Sequence, residues 1–172
     1  GILVAMVARQ RKGRVVLLEI NEYRLKVARE LGFDTINSKA ENAVEKVMAR
    51  TQGAGADIVF EVSGSKPGAA LMTELARVRG TIGVVGVFNA GDPPPVNLHR
   101  FFWRELQLHG SRVYEGRDFK EAITLAATGA MPLDKLISGK IAFEQLGETC
   151  ERLLRGDPVM KILVECRGGG LR

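Results

Sequence analysis

Glu19 has the clearest potential for chemistry in this sequence. It ends the run Arg14-Val-Val-Leu-Leu-Glu19, which has the apolar, β-branched composition of a buried parallel strand. An acid at the end of such a strand, followed by a helix, is typical of sites that hold the ribose hydroxyls of a dinucleotide. Arg24 follows in the first turn of the next predicted helix and could reach the same ribose. Each residue also has a purely structural interpretation. Glu19 would then be an acid that ends a strand beside a helix cap, and Arg24 a solvated helix residue paired with a neighbouring acid.

Gly1 precedes a helix predicted over residues 2–12. In a G-x-G-x-x-G turn the third glycine lets the helix pack closely on the sheet, and Gly1 would be that glycine. The first two glycines and the first strand would then lie upstream of this chain. Because a carboxylate at Glu19 would repel a 2′-phosphate, we expect the cofactor to be NAD and not NADP.

Small residues stand at the ends of two further predicted strands. The strand at 56–62 leads into Ser63-Gly64, and the strand at 81–87 ends in Val85-Gly86-Val87. Ligands of open α/β sheets bind at the carboxyl ends of the strands, where small residues let a nicotinamide ribose approach the backbone. The alternative is that these residues only permit turns.

Short β-branched runs alternate with segments of helical period along the whole chain. This alternation predicts an α/β fold with a doubly wound parallel sheet. The predicted helices cover residues 2–12, 22–31, 41–51, 68–78, 98–104, 118–128 and 144–154. The predicted strands cover residues 14–19, 35–37, 56–62, 81–87, 105–113, 136–142 and 160–165. The proline-containing loop at 89–97 is expected to be irregular.

Composition narrows the class of protein. The 172 residues, of which 45% are hydrophobic, suffice for one domain, or one domain with an appendage. The net charge of +5 comes mainly from residues 1–31, where cations suit the end of a helix, so we expect no nucleic-acid partner. Two cysteines form neither a disulfide framework nor a zinc site, and the apolar run at 2–8 is too short for a bilayer span. We therefore expect a cytoplasmic protein without a membrane partner.

Several other residues are interpreted as structural. Cys150 is expected to be a buried thiol, since it shares a helical face with four apolar residues: Phe143, Leu146, Leu153 and Leu154. His99 and His109 have no carboxylate or cysteine at ligand spacing, so no metal site is expected. An apolar cluster beside the proline loop is expected to be interface or core: Leu98, Phe101, Phe102 and Trp103.

Three ordered runs, at residues 1–32, 55–64 and 79–88, resemble the zinc-type medium-chain dehydrogenases, above all the polyol, butanediol and threonine dehydrogenase branch. The resemblance extends nearly to Cys166. It implies reversible hydride transfer between a secondary alcohol and NAD, with an alcohol or ketone as substrate. It also implies a zinc-bearing catalytic domain absent from this sequence, so zinc is expected only in a longer protein. A homodimer or homotetramer is implied as the assembly.

The resemblance further implies individual roles. Glu19 and Arg24 resemble the adenosine-ribose pair, and Val85-Gly86-Val87 resembles the nicotinamide-side strand end. Ser111-Arg112 resembles the turn after the sixth strand. Lys161 falls where the family often places a basic residue on the pyrophosphate. The sixth strand, near Leu106 to His109, would pair with its mate across a dimer axis, which would protect an exposed edge.

These inferences divide the chain into an N-terminally truncated NAD-binding domain (1–116), a C-terminal return segment (117–166) and a tail (167–172). A sheet ordered 3-2-1-4-5-6 would lack its joining strand, so either the natural protein is longer or another strand, such as the C-terminal one, fills the slot. We expect no dehydrogenase turnover from this chain alone. The alternative is a non-catalytic nucleotide-binding or dimerisation module. Methyltransferases match the strand pattern less well, and Glu19 disfavours the NADPH-preferring quinone reductases.

Overall fold

The computed structural model describes residues 1–166, so the predicted tail at 167–172 lies outside the described residues. The helices are α1 (Ile2–Gln10), α2 (Glu22–Glu30), α3 (Ala43–Arg50), α4 (Lys66–Leu75), α5 (Leu98–Arg104), α6 (Gly116–Ala127) and α7 (Leu146–Leu154). The strands are β1 (Val16–Glu19), β2 (Asp34–Asn37), β3 (Ala56–Glu61), β4 (Ala76–Val84), β5 (Gln107–Gly110), β6 (Ile137–Ala142) and β7 (Lys161–Glu165). Within the described range, no helix is both long and apolar enough to cross a membrane.

All strand pairs of the described residues are parallel, which confirms the predicted fold class. β1 pairs with β2, β3-β4-β5 form a second sheet, and β6 pairs with β7. The β1-β2 pair and the β3-β4-β5 sheet each have the parallel pairing expected of part of a doubly wound sheet. Among the described residues, β7 pairs with β6 and does not extend the β1-β2 sheet.

The boundary between α4 and β4 differs from the prediction. The helix was expected to reach Val78, but it ends at Leu75, and Ala76 already has extended backbone with φ −71° and ψ 138°. Ala76 pairs with Ala56 of β3 and is fully buried, because sheet pairing outweighs the helical propensity of this short segment. Strand β4 was predicted over residues 81–87 but spans Ala76–Val84, so residues 85–87 lie beyond its end.

Strand β5, expected over residues 105–113, is shorter than predicted and spans only Gln107–Gly110. Glu105 adopts a left-handed conformation, φ 48°, as the C-cap of α5, which ends the helix and sets the start of the strand. The backbone of Arg79 is also left-handed, with φ 57°. The Arg79 guanidinium donates to both carboxylate oxygens of Glu105, at 3.0 and 3.3 Å. These hydrogen bonds, together with the charge of Glu105, raise the pKa of Arg79 above its ordinary value.

Contacts group the described chain into two compact units. One contains residues 40–115 with Gly1 and Leu3, and its core is formed by Met72, Ala76 and Ile82. The other contains Ile2, residues 4–39 and the chain from 116 onward, and its core includes Met6, Val27, Phe33 and Leu136. The domain division expected at residues 116 and 166 stays a prediction.

One expectation, that of a buried thiol at Cys150, is wrong. Cys150 is exposed, because the buried position of α7 is its neighbour Thr149, and Leu154 on the same helix is 89% exposed. The aromatic cluster on α5 divides in two. Phe101 packs against the core of its unit, whereas three members point into solvent: Leu98, Phe102 and Trp103.

Candidate functional site

Glu19 ends β1 and folds its carboxylate over the turn that leads into α2. Its Oε1 accepts hydrogen bonds from the backbone N–H groups of Ile20 at 2.8 Å and Asn21 at 3.0 Å. Its Oε2 lies 3.9 Å from Nη1 of Arg24, and 28% of the side chain is exposed. A carboxylate offers about four lone-pair positions, so this group, fixed by the backbone, can still accept hydrogen bonds from a diol.

The start of α2 brings Arg24 to Glu19. Asn21 is the N-cap, and its Oδ1 accepts a hydrogen bond from the backbone N–H of Arg24 at 3.1 Å. This cap places Arg24 in the first helical turn with 46% of its side chain exposed. An ion pair this exposed contributes only about 0–1 kcal/mol to stability. The pair therefore matters less for stability than for binding, because it places a carboxylate and a guanidinium together at the end of a parallel strand.

The end of β2 contributes Asn37, a residue that sequence reasoning missed. Asn37 lies opposite Glu19 in the strand register, and its side-chain amide donates to Oε1 of Glu22. The N–H of Ser38 donates to the carbonyl of Glu19 at 3.2 Å, and the N–H of Lys39 donates to Oδ1 of Asn37 at 3.0 Å. The position was predictable in principle, since Asn37 ends a predicted strand and parallel strands end at the same edge.

In the other unit, Glu61 ends β3 and is 4% exposed. Its Oε1 accepts from the backbone N–H of Ser63 at 3.0 Å and from the Ser63 hydroxyl, while its Oε2 accepts from the N–H of Gly64 at 3.1 Å. Its main-chain carbonyl accepts from Val85 at 2.8 Å and Gly86 at 2.9 Å. Sequence reasoning did not single out Glu61. The available signal was an acid within the otherwise apolar run Ile-Val-Phe-Glu-Val.

Gly64 and Gly86 let the ends of β3 and β4 meet backbone to backbone. Gly64 has φ +65°, and a Cβ there would lie 2.3 Å from the carbonyl oxygen of Val87. A Cβ on Gly86 would lie 2.4 Å from the nitrogen of Gly64 and 2.5 Å from Oε2 of Glu61. Side chains are excluded at both positions, so these residues do more than permit turns. Val87, the next residue, is 92% exposed.

The remaining predicted residues lie apart from these contacts. The N–H of Ser111 donates to the carbonyl of Val84 at 2.8 Å, which extends the pairing of β5, and Arg112 is exposed. Lys161 is the exposed first residue of β7. Gly1 is exposed, and no heavy atom lies within 4 Å of the position a Cβ would take. The role expected of Gly1 in helix-to-sheet packing stays a prediction.

The zinc implied by the resemblance does not fit the residues described. Among residues 1–166, no group of three or more His, Cys, Asp or Glu side chains lies together in a way that could hold a metal ion. His99 instead packs beside Trp103, with 6.0 Å between the ring centroids.

The known proteins that this chain resembles are dehydrogenases. A family model described as zinc-binding dehydrogenase matches residues 1–128. The 2-dehydro-3-deoxy-L-galactonate 5-dehydrogenase of Pseudoalteromonas atlantica is 39% identical over 166 residues, covering 96% of this chain and 48% of that protein. Sorbitol dehydrogenase of Halalkalibacterium halodurans is 28% identical over 166 residues, covering 95% of this chain and 48% of that protein.

A solved structure from Sinorhizobium meliloti 1021, described as a zinc-binding dehydrogenase bound to NADP, is similar with a TM-score of 0.82. It is 26% identical, with 96% of this chain and 49% of that chain covered. The chain spans about half the length of the curated relatives it matches. These matches confirm the resemblance read from the three sequence runs. The chain belongs to the zinc-binding dehydrogenase family.

Proposed function

We propose that this chain binds a nicotinamide dinucleotide and serves as the cofactor-binding half of a dehydrogenase. The observation that carries the proposal is the Glu19 carboxylate, fixed by two backbone N–H groups at the end of a parallel strand beside Arg24. Family membership and a similar structure bound to NADP support a nicotinamide cofactor. The two curated relatives described above are dehydrogenases of polyhydroxylated compounds by name, which favours a secondary alcohol of that class as substrate.

Glu19 favours NAD over NADP. Its carboxylate accepts hydrogen bonds from the two hydroxyls of an adenosine ribose, whereas a 2′-phosphate would place negative charge against it. The Arg24 guanidinium, 3.9 Å from Oε2 of Glu19, offsets part of this repulsion, because its positive charge attracts a phosphate. Because a similar protein is bound to NADP, the preference of this chain for NAD has to be tested on the chain itself.

The other predicted residues receive the rest of the cofactor. The ends of β3 and β4, at Ser63-Gly64 and Val85-Gly86-Val87, receive the nicotinamide ribose against backbone that the two glycines bring close together. Ser111-Arg112 follows the last strand of the same sheet, and the Lys161 ammonium supplies positive charge for a pyrophosphate. When bound, the nicotinamide ring takes up or releases the hydride. The role of these residues is to bind and orient that ring.

The experiment is a calorimetric titration of the chain with NADH and, separately, with NADPH. We expect NADH to bind, and NADPH to bind at least about tenfold more weakly, as one unfavourable charge contact would cause. Equal binding of the two would overturn the assignment of Glu19. Binding of neither would overturn the proposal and leave the second candidate, a dimerisation module without nucleotide.

That second candidate has its own observation. The edge strand β5 and the α5 side chains Phe102 and Trp103 are exposed, as expected of a surface that pairs with another copy. We propose a homodimer or homotetramer for either function. Both cysteines are free and exposed, which fits a reducing, cytoplasmic compartment as part of the same proposal.

A further inference from the structure

Glu61 is the one buried charged residue among those the structure describes, at 4% exposure. Removing a carboxylate from water costs several kcal/mol unless hydrogen bonds replace the lost hydration. Here every replacement comes from the turn that follows: the Ser63 N–H, the Ser63 hydroxyl and the Gly64 N–H. The carboxylate thus fixes the conformation of residues 63–64.

The direction of the hydrogen bonds follows from the chemistry of the groups. An ionised carboxylate only accepts, so the Ser63 hydroxyl donates its proton to Glu61. The Ser65 hydroxyl, 2.8 Å away, must then donate to Ser63, while it accepts from the N–H of Gly68 at 3.1 Å. A continuous chain of hydrogen bonds therefore runs from the first turn of α4 to Glu61.

This arrangement has a consequence for ligand binding. Both donors of Ser63 and the N–H of Gly64 are already used by Glu61, so neither residue donates a hydrogen bond to a ligand. Residues 63–64 instead offer shape and carbonyl oxygens. Their position relative to Gly86 is set by the same side chain, because a Cβ on Gly86 would lie 2.5 Å from Oε2 of Glu61.

We propose that Glu61 is a positioning residue for the nicotinamide end of the cofactor. It holds the Ser63-Gly64 turn against the backbone of Gly86, so that the two strand ends present one fixed surface. The inference rests on the proposed function, since it assumes that these strand ends receive the nicotinamide ribose. It assigns to Glu61 a role that is separate from the adenosine-binding role of Glu19.

The test compares two ligands and two matched variants. Glu61→Gln keeps the size of the side chain, but its amide leaves at least one of the three donors without an acceptor. Glu74→Gln is the control, because Glu74 is a partly buried acid of the same unit, paired with Arg100, outside the strand ends. Each protein is titrated with NADH and with ADP, which carries the adenosine and both phosphates but neither the nicotinamide nor its ribose.

We expect Glu61→Gln to weaken NADH binding about tenfold, as loss of one buried charge-assisted hydrogen bond would, and to change ADP binding less than about twofold. Glu74→Gln should leave both affinities unchanged. Equal weakening of NADH and ADP, or unchanged NADH binding, would overturn the positioning role. So would a wild-type chain that binds NADH no more tightly than ADP. A wild-type chain that binds neither ligand overturns the proposed function itself.

Circular dichroism and thermal melting establish whether the variants fold. If Glu61→Gln does not fold, Ser63→Ala replaces it, because this variant removes the hydroxyl bond and keeps both backbone bonds to Glu61. We expect Ser63→Ala to weaken NADH binding about threefold, because one of the three hydrogen bonds that hold the turn is lost, and to leave ADP binding unchanged. Unchanged NADH binding in a folded Ser63→Ala protein would then overturn the proposal.

Discussion

Nη1 of Arg24 lies 3.9 Å from Oε2 of Glu19, while Oε1 of Glu19 is held by the backbone N–H groups of Ile20 and Asn21. One carboxylate oxygen is thus fixed by the main chain, and the other faces a cation and solvent. The Glu19 carboxylate is therefore held in one orientation at the end of β1, with Oε2 left to face a ligand. We therefore expect the choice between the two nicotinamide cofactors to depend on Glu19.

Replacing Glu19 with Gln should therefore change cofactor choice more than stability. The amide keeps one acceptor for the backbone N–H groups but removes the charge that repels a 2′-phosphate. We expect NADH affinity to fall about tenfold and the preference for NADH over NADPH to shrink by a similar factor. Calorimetric titration of both cofactors measures the two effects.

Glu30→Gln is the matched control for Glu19→Gln. Glu30 ends α2 and pairs with Lys26 at 3.9 Å, with 61% of its side chain exposed. Removing this charge should alter neither affinity, since a pair this exposed contributes about 0–1 kcal/mol. If Glu30→Gln shifted the NADH and NADPH affinities as Glu19→Gln does, the effect would be one of net charge and not of the ribose contact.

Gly64→Ala should destabilise the chain far more than Gly53→Ala. Both glycines have positive φ, +65° and +85°, so an alanine meets similar backbone strain at either position, about 1–2 kcal/mol. Only at Gly64 would the Cβ also collide with backbone, 2.3 Å from the carbonyl oxygen of Val87, whereas Gly53 has nothing within 4 Å. The collision should add about 1–3 kcal/mol.

Urea unfolding followed by circular dichroism gives the free energy of unfolding of both variants. A Gly64→Ala protein as stable as Gly53→Ala would show that the ends of β3 and β4 do not meet as described. The comparison is independent of any cofactor, so it tests the architecture of the candidate site by itself.

The fold and part of the candidate site were predictable from local pattern. Glu19, Asn21 and Arg24 lie within one strand-turn-helix segment, so spacing alone predicted that acid and arginine share a strand end. The end of α4 was missed because Ala76 becomes strand through pairing with Ala56, a contact that local sequence does not encode. Cys150 was expected to be buried from its helical face, but the burial of a face depends on what covers it, and here Thr149 is covered instead.

The role of Glu61 was not predictable for a related reason. An acid in an apolar strand signals a special environment, but its partners Ser63 and Gly64 become evident only when the turn is folded. The close approach of Gly86 depends on the register between β3 and β4, which is a tertiary property. Sequence thus indicated which strand ends matter, and the structure adds how their backbones are held together.

The chain alone should show no dehydrogenase turnover. The resemblance implies that zinc polarises the alcohol oxygen, and among residues 1–166 no group of three or more His, Cys, Asp or Glu side chains could hold that ion. We expect NADH formation from NAD and a secondary alcohol such as sorbitol or butanediol to stay at background, with zinc supplied. Alcohol-dependent NADH formation above background would contradict this and require a different account of the catalytic groups.

The exposed side chains of α5 should drive self-association. Phe102 is 74% and Trp103 67% exposed, and their rings meet edge to face with 5.4 Å between the centroids. Exposed apolar groups of this size favour contact with a second copy. We expect the wild-type chain to sediment as a dimer or larger species, and the Phe102→Ser/Trp103→Ser variant to shift toward monomer.

Leu154→Ser provides the control, because Leu154 is 89% exposed on α7, away from α5 in sequence, and its replacement removes exposed apolar surface without changing α5. Sedimentation velocity over a concentration series measures the association of all three proteins. Trp103 is the single tryptophan of the chain, so its emission should shift to the blue as the wild-type concentration rises. A wild-type monomer at all concentrations would contradict self-association, and an equal effect of Leu154→Ser would show that the contact does not depend on α5.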